Sequence, residues 1–195
     1  MSKFNQNRKP KEQKPILCPV SKESISQILQ RLSLPTDPVT KNMISTCIRQ
    51  NAFHWLENLA NLFKSLDINH SDFTIELKNI AGIYKALIML ADPPVTEAIL
   101  SDKFYKCTFG ALENLPELQG KLCCREFFEK VEYKEIVPIN NENIVKKIHI
   151  CYRINYLRET IFAKDEGPVV QSLAFMSFNC SIEILNALLN NVKYL

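Results

Sequence analysis

The chain has 195 residues, of which 46% are apolar and 23% are charged, and it contains only four glycines. This composition suffices for one well-packed domain or a stretch of a longer repeat array, and the scarcity of glycine and of alternating β-branched runs argues against a β-sandwich or barrel. The net charge of +3 resides in residues 1–24, where six basic and two acidic side chains give +4 and leave the rest of the chain at −1. Because phosphate binding needs clustered cations, nucleic acid is not expected on the body of the protein.

The first segment of the chain is polar, basic and interrupted by Pro10, Pro15 and Pro19. We predict that residues 1–20 form a disordered basic tail and that residues 21–195 form a helical domain. The alternative is that the tail binds RNA, an acidic surface or an import receptor. Salt-sensitive binding that is lost on deletion of residues 1–24 would indicate it.

Capping signals divide the rest of the chain into helices. The helix starts carry Ser21 or Ser24, Asp37-Pro38, Asp92-Pro93-Pro94, Ser101-Asp102 and Gly167-Pro168. The apolar positions of the predicted helices span residues 25–32, 43–48, 53–66, 73–88, 95–100 and 104–112, and further helices are predicted over residues 125–131, 141–162 and 167–194. A turn is expected at Gln50–Asn51, an extended segment at residues 133–138, and the longest helix at residues 141–162.

Several of these helices are apolar over more than a third of their circumference, so each needs neighbours on more than one side. Stacked helix pairs meet that requirement, as in armadillo and HEAT arrays. The predicted fold is therefore all-α, an armadillo/HEAT-like helical-repeat array or α-solenoid, although no strict internal period is visible.

Motifs of enzyme and metal chemistry are missing from the sequence. The three histidines are far apart and no Cys-x-x-Cys occurs, so no metal site is predicted. No Gly-x-Ser-x-Gly, glycine-rich phosphate loop or His-Glu-x-x-His is found either, and we predict no catalytic residues, no cofactor and no enzyme activity. Seven cysteines without a secretory signal indicate a reducing compartment, and no membrane association is predicted, since no run of 18 apolar residues occurs.

A region rich in arginine, glutamate and aromatic residues extends from Arg125 to Arg158. Such side chains can form interhelical polar links, which is the interpretation that physical reasoning favours, or they can form a partner-binding surface. The candidate site residues for either role are Arg125, Glu126, Phe127, Lys134, Glu135, Arg153 and Tyr156.

Three segments of this region carry a resemblance to a known family: REFF at residues 125–128, YKEIVPI at 133–139 and HICYRINYL at 149–157. They resemble the central block of phosphatase 4 regulatory subunit 3, the Smek/Falafel family. The likeness continues upstream through YKALIML, ILSD and GALE, and downstream through LAFMSFN and EIL, and it covers about residues 35–195.

The resemblance implies a non-catalytic scaffold subunit that associates with the phosphatase 4 catalytic subunit through a partner regulatory subunit. It implies a role in directing serine/threonine dephosphorylation, including in DNA-damage responses and cell division, and a location in the nucleus and cytoplasm. Family members also carry an N-terminal pleckstrin-like domain and further C-terminal repeats, which this sequence lacks. The alternative is therefore a truncated helical adaptor that binds other proteins without phosphatase.

The last predicted helix raises a separate hypothesis. Phe175, Phe178, Leu185, Leu188 and Leu189 give it a dense apolar side on which further repeats would stack. If nothing covers that side, the chain is expected to self-associate or to bind a partner there.

Overall fold

The computed structural model describes residues 16–33, 37–67, 75–118, 123–131, 139–164 and 167–192. Over these residues the chain is helical without any strand, which confirms the all-α prediction. The helices are α1 (Ile25–Ser33), α2 (Pro38–Asp67), α3 (Ile75–Met89), α4 (Pro93–Leu100), α5 (Tyr105–Leu112), α6 (Cys124–Lys130), α7 (Glu142–Tyr156) and α8 (Pro168–Val192).

Asp37 and Asp92 cap their helices as predicted, whereas Ser101 ends α4 and α5 begins after Phe104 without a side-chain cap. Asp37 Oδ1 accepts hydrogen bonds from the backbone N–H groups of Val39 at 2.9 Å and Thr40 at 3.0 Å. Asp92 Oδ1 accepts from the N–H of Val95 at 3.0 Å, ahead of the two prolines of α4. These bonds satisfy donors that have no partner within the helix, which is why the starts can be read from sequence.

Helix α2 is interrupted where the turn was predicted. Gln50 adopts an extended conformation with ψ of 148°, and Asn51, Ala52 and Phe53 follow with positive φ values of 52°, 53° and 64°. These backbone angles are not helical, and the left-handed region is disfavoured for residues with a Cβ. The segment therefore divides α2 into two helical parts that are separated by a kink.

The helices pack mainly against neighbours one or two positions away in the chain. Helix α1 packs on α3 and α3 packs on α5, while α2 contacts α3, α4 and α5. Helix α4 contacts α7, which packs along α8. One continuous apolar core runs through the array, and its fully buried side chains include Ile28, Ile48, Leu59, Ile80 and Leu87. Successive packing of this kind is what a helical-repeat domain requires.

The helical domain begins earlier than the predicted boundary at Ser21. Leu17 is only 3% exposed, the backbone carbonyl of Cys18 accepts a hydrogen bond from Trp55 Nε1 at 3.1 Å, and that of Ile16 accepts one from Arg31 Nη1 at 3.0 Å. Residues 16–20 therefore pack on the domain, because a short apolar stretch between two prolines finds partners on α1 and α2. Residues 1–15 of the predicted tail lie outside the described part of the chain.

The prediction of the longest helix was wrong. Helix α7 ends at Tyr156 and continues as a π-helical turn, Leu157–Ile161, whereas α8 has 25 residues. By length and composition alone, α8 over Pro168–Asn190 is the one candidate among the described helices for crossing a membrane, and 22% of its most apolar stretch is buried. Helices of soluble proteins meet the same criterion.

Candidate functional site

Arg153 on α7 forms the central polar link of the predicted region. It is buried, with 7% of its surface exposed. Its Nη1 donates a hydrogen bond to the backbone carbonyl of Leu100 at 2.7 Å, and its Nη2 donates to Asp102 Oδ1 at 2.7 Å. The guanidinium also lies 3.7 Å from the centre of the Tyr105 ring. A buried cation is tolerated only when it is paired in this way, so Arg153 ties α7 to the turn between α4 and α5.

Asp102 also contacts a histidine of the same helix, α7. His149 Nδ1 lies 3.2 Å from Asp102 Oδ1. Burial acts against ionisation of Asp102, but the hydrogen bonds of Arg153 and His149 outweigh it and hold the pKa of this carboxyl below its ordinary value. Asp102 is therefore an anion that fixes two positions, one helical turn apart, on α7.

Lys147 extends the polar links to α8. Its Nζ lies 3.1 Å from Glu97 Oε1 on α4 and 2.7 Å from Glu183 Oε2 on α8. Burial acts to lower the pKa of Lys147, and the two carboxylates outweigh it and raise the pKa. One lysine thus holds three helices together through charge-assisted contacts.

Arg125 fastens the start of α6 to the end of α5. Both its backbone N–H and its Nε donate to the carboxylate of Glu113, each at 2.7 Å. Gly110 leaves room beside this contact, because a Cβ there would lie 3.0 Å from Arg125 Cδ and 3.2 Å from the Phe63 ring of α2. The Arg125 side chain is partly exposed, and that of its carboxylate partner Glu113 is less exposed. Arg125 thus links two helices although part of its side chain reaches the surface.

Aromatic side chains of α5, α6 and α7 pack into one cluster beside these links. The Phe127 and Tyr156 rings stack with centroids 4.6 Å apart, and Phe128 lies 4.9 Å from Tyr156 and 4.4 Å from Phe109. Tyr156 Oη donates to Cys124 Sγ at 3.6 Å, and burial raises the pKa of this phenol. The cluster joins two of the predicted site residues, Phe127 and Tyr156, and closes the gap between α6 and α7.

The remaining predicted site residues divide into two groups. Glu126 lies on the exposed side of α6, and its partner among the described residues is Lys130 of the same helix. Lys134 and Glu135 lie outside the described residues. Tyr152 on α7 is 44% exposed and meets the Phe128 ring edge-on with centroids 6.3 Å apart, whereas the next residue, Arg153, is buried.

Sequence reasoning missed the partners of these residues. The sequence marks Asp102 only as part of a helix start and Glu183 only as part of the EIL segment, and no pattern singles out Glu97 or Lys147. The contacts join residues about 50 positions apart, from Glu97 to Lys147 and from Asp102 to Arg153, and such pairing leaves no periodic signal. Glu113 did fall within the GALE segment that carries the family resemblance.

A cavity of about 180 Å³ lies beside Lys147 and Glu183, between α7 and α8. A cavity of about 70 Å³ lies between α5 and α6 and is lined by Tyr105, Lys106, Phe109, Arg125, Phe128 and Glu129. In the part of the chain that the structure describes, no group of three or more histidine, cysteine, aspartate or glutamate side chains is placed to hold a metal ion. The described contacts of this region join helices to one another.

Fold and site together define a stacked-helix domain whose charged and aromatic side chains tie neighbouring helices into a rigid platform. The family model for phosphatase 4 regulatory subunit 3 matches residues 24–195. The chain belongs to that family, as the segments quoted above suggested. Because the family consists of regulatory subunits, the prediction of a non-catalytic protein is confirmed.

Curated relatives agree with this assignment. An uncharacterized protein of Schizosaccharomyces pombe is 30% identical over 148 residues, which cover 73% of this chain and 17% of that protein. Suppressor of Mek1 of Dictyostelium discoideum is 26% identical over 187 residues, covering 92% and 17%. Serine/threonine-protein phosphatase 4 regulatory subunit 3 of Drosophila melanogaster is 24% identical over 184 residues, covering 91% and 18%.

The chain thus spans less than a fifth of the length of the curated relatives it matches. No solved structure matches the chain.

Proposed function

We propose that the chain is a non-catalytic scaffold within a protein phosphatase 4 complex. In this proposal it contacts the catalytic subunit and a partner regulatory subunit and helps to direct serine/threonine dephosphorylation. The supporting observation is the family match over residues 24–195, together with a fruit-fly relative whose name identifies it as a regulatory subunit of that phosphatase. A rigid helical platform suits the task, since such arrays present extended surfaces to other proteins.

The outer side of α6 and α7 is the surface we propose for partner contact. Arg153, Arg125 and Tyr156 are engaged in links between helices, whereas Glu126, Lys130 and Tyr152 expose their side chains beside them. Exposed tyrosines are frequent anchors of protein interfaces, because they bury a large ring and keep a polar end. In this proposal the residues that link helices stabilise the fold, and the exposed residues beside them contact the partner protein.

The proposal is tested with the purified full chain and the phosphatase 4 catalytic subunit, with and without the partner regulatory subunit. We expect the chain to be retained in the complex, and Tyr152→Ala to weaken retention at least about fivefold. Met89→Ala is the matched control, since Met89 is also a half-exposed apolar side chain but lies on α3. Equal retention of both variants would place the contact elsewhere.

Failure of the unmodified chain to bind either subunit would favour the alternative of a helical adaptor without phosphatase. Capture of other proteins by the same chain would then identify its partners. We also propose residence in the nucleus and cytoplasm and a role in DNA-damage responses, on the family resemblance alone, and microscopy of a tagged chain tests the first of these.

A further inference from the structure

Helix α8 has two apolar faces. The inner face carries Leu173, Met176 and Cys180, which are buried against α7. Polar contacts fix the same face: Ser177 Oγ donates to Asn155 Oδ1 at 2.8 Å, and Cys180 Sγ lies 3.3 Å from the carbonyl of Lys147. The inner face therefore already has its partner.

The opposite face forms an exposed strip that we call the outer seam. It consists of Phe175, Phe178, Ile182, Leu185 and Leu189, each between 40% and 65% exposed. Side chains of this size present roughly 500 Å² of apolar surface at such exposures, which exceeds the usual scatter of surface hydrophobic residues. The surface is large enough to bind a partner.

The spacing of the outer seam indicates the shape of that partner. Successive members are separated by 3, 4, 3 and 4 positions. This alternation is the a/d pattern of a two-stranded coiled coil, in which each side chain inserts between four side chains of a facing helix. The surface is therefore suited to another helix that carries the same repeat.

The charges around the outer seam favour a second copy of the same helix. The flanking positions hold Asn179, Ser181, Asn186 and Leu188, so no charge there would repel an identical strip. The one charged residue between Pro168 and Val192 is Glu183, and its carboxylate binds Lys147 on α7. We propose that α8 pairs through the outer seam with α8 of a second copy of this chain, giving a two-fold symmetric dimer.

A lipid surface fits the same face less well. Helices that lie on membranes carry lysine and arginine on their polar side, and α8 has neither. A membrane-crossing position would separate Glu183 from Lys147 and Ser177 from Asn155 and leave those groups without partners. The proposal does not depend on the proposed function, because it concerns only the chain itself.

Sedimentation equilibrium of the full chain over micromolar concentrations tests the proposal. We expect a monomer–dimer equilibrium, and Leu185→Glu is expected to raise the dimer dissociation constant at least about tenfold, since a carboxylate would enter the apolar seam. Ile75→Glu is the matched control, because Ile75 is 66% exposed, close to the 56% of Leu185, but lies on α3. It is expected to leave the dimer unchanged.

Unchanged melting by circular dichroism would show that both variants still fold, and Phe178→Ser is a second seam variant. A monomer at every concentration would overturn the proposal, as would equal weakening by Ile75→Glu. A monomer that instead binds uncharged phosphatidylcholine vesicles, and loses this binding in Leu185→Glu, would overturn it in favour of a membrane contact.

Discussion

The links around Arg153 and the outer seam of α8 distribute residue types in opposite ways. The Arg153 guanidinium lies inside the protein, where it meets a carboxylate, a carbonyl and an aromatic ring. On the outer seam, phenylalanine, isoleucine and leucine face outward. A buried charge lowers the stability of the fold unless it is paired. A large exposed apolar patch, by contrast, typically marks a surface that another molecule covers. The first region therefore serves the fold, and the second is available to a partner.

The largest effect among the polar links is expected at Arg153. Arg153→Ala leaves the carbonyl of Leu100 and the carboxylate of Asp102 without their main donor, and we expect a loss of about 2–3 kcal/mol in the free energy of unfolding. The loss falls below that of a fully buried pair, because Asp102 is half-exposed and keeps His149. Urea unfolding followed by circular dichroism measures it.

Arg158→Ala is the control for this prediction, since Arg158 pairs at 2.8 Å with the adjacent, largely exposed Glu159. It is expected to cost less than about 0.5 kcal/mol. Similar losses of unfolding free energy in both variants would contradict the assignment of Arg153 as a link between helices. The conclusion that this region serves the fold would then be wrong.

A smaller effect is expected from acid. Because the pKa of Asp102 is lower in the folded protein than in the unfolded chain, its contribution to stability is complete above the unfolded value of about 3.9 and disappears as the pH falls through the folded pKa. The difference in unfolding free energy between the unmodified chain and Asp102→Asn should therefore be constant near neutrality and narrow below about pH 4. Urea titrations at a series of pH values measure this difference. A difference in unfolding free energy that grows as the pH falls would contradict the prediction.

The smallest effect on the fold is expected on the outer seam. Phe175→Ala should change the unfolding free energy by no more than about 0.5 kcal/mol when measured at low protein concentration, because Phe175 is exposed. The next residue provides the comparison: Met176 is buried against α7, and Met176→Ala should cost about 2–3 kcal/mol. Equal costs at these neighbouring positions would show that α8 is rotated from the orientation described above.

Much of the helical organisation could be predicted from local chemistry. Asp37 and Asp92 signalled helix starts, because an N-cap bond joins residues two or three positions apart. The turn near Gln50–Asn51 and the short helix α6 were also predicted. The packing of residues 16–20 was not predicted, because their partners Arg31 and Trp55 lie on helices further along the chain.

The candidate site was predicted only in part. Arg125 and Phe127 on α6 and Arg153 and Tyr156 on α7 all make contacts between elements of the chain, and their role as site residues stays a prediction. Sequence could not separate Arg153 from Glu126, since both are charged residues beside aromatics. Burial separates them, and burial is a property of the packed helices.

The sequence by itself determined the helical class, most helix starts, the family and the apolar richness of α8, since each of these depends on residues that are neighbours along the chain. Only the tertiary structure decided which cation is buried, which carboxylate it meets and which face of α8 remains uncovered. The physical reason is distance: Asp102 and Arg153 are 51 positions apart, and their contact exists only after α4 and α7 have packed together.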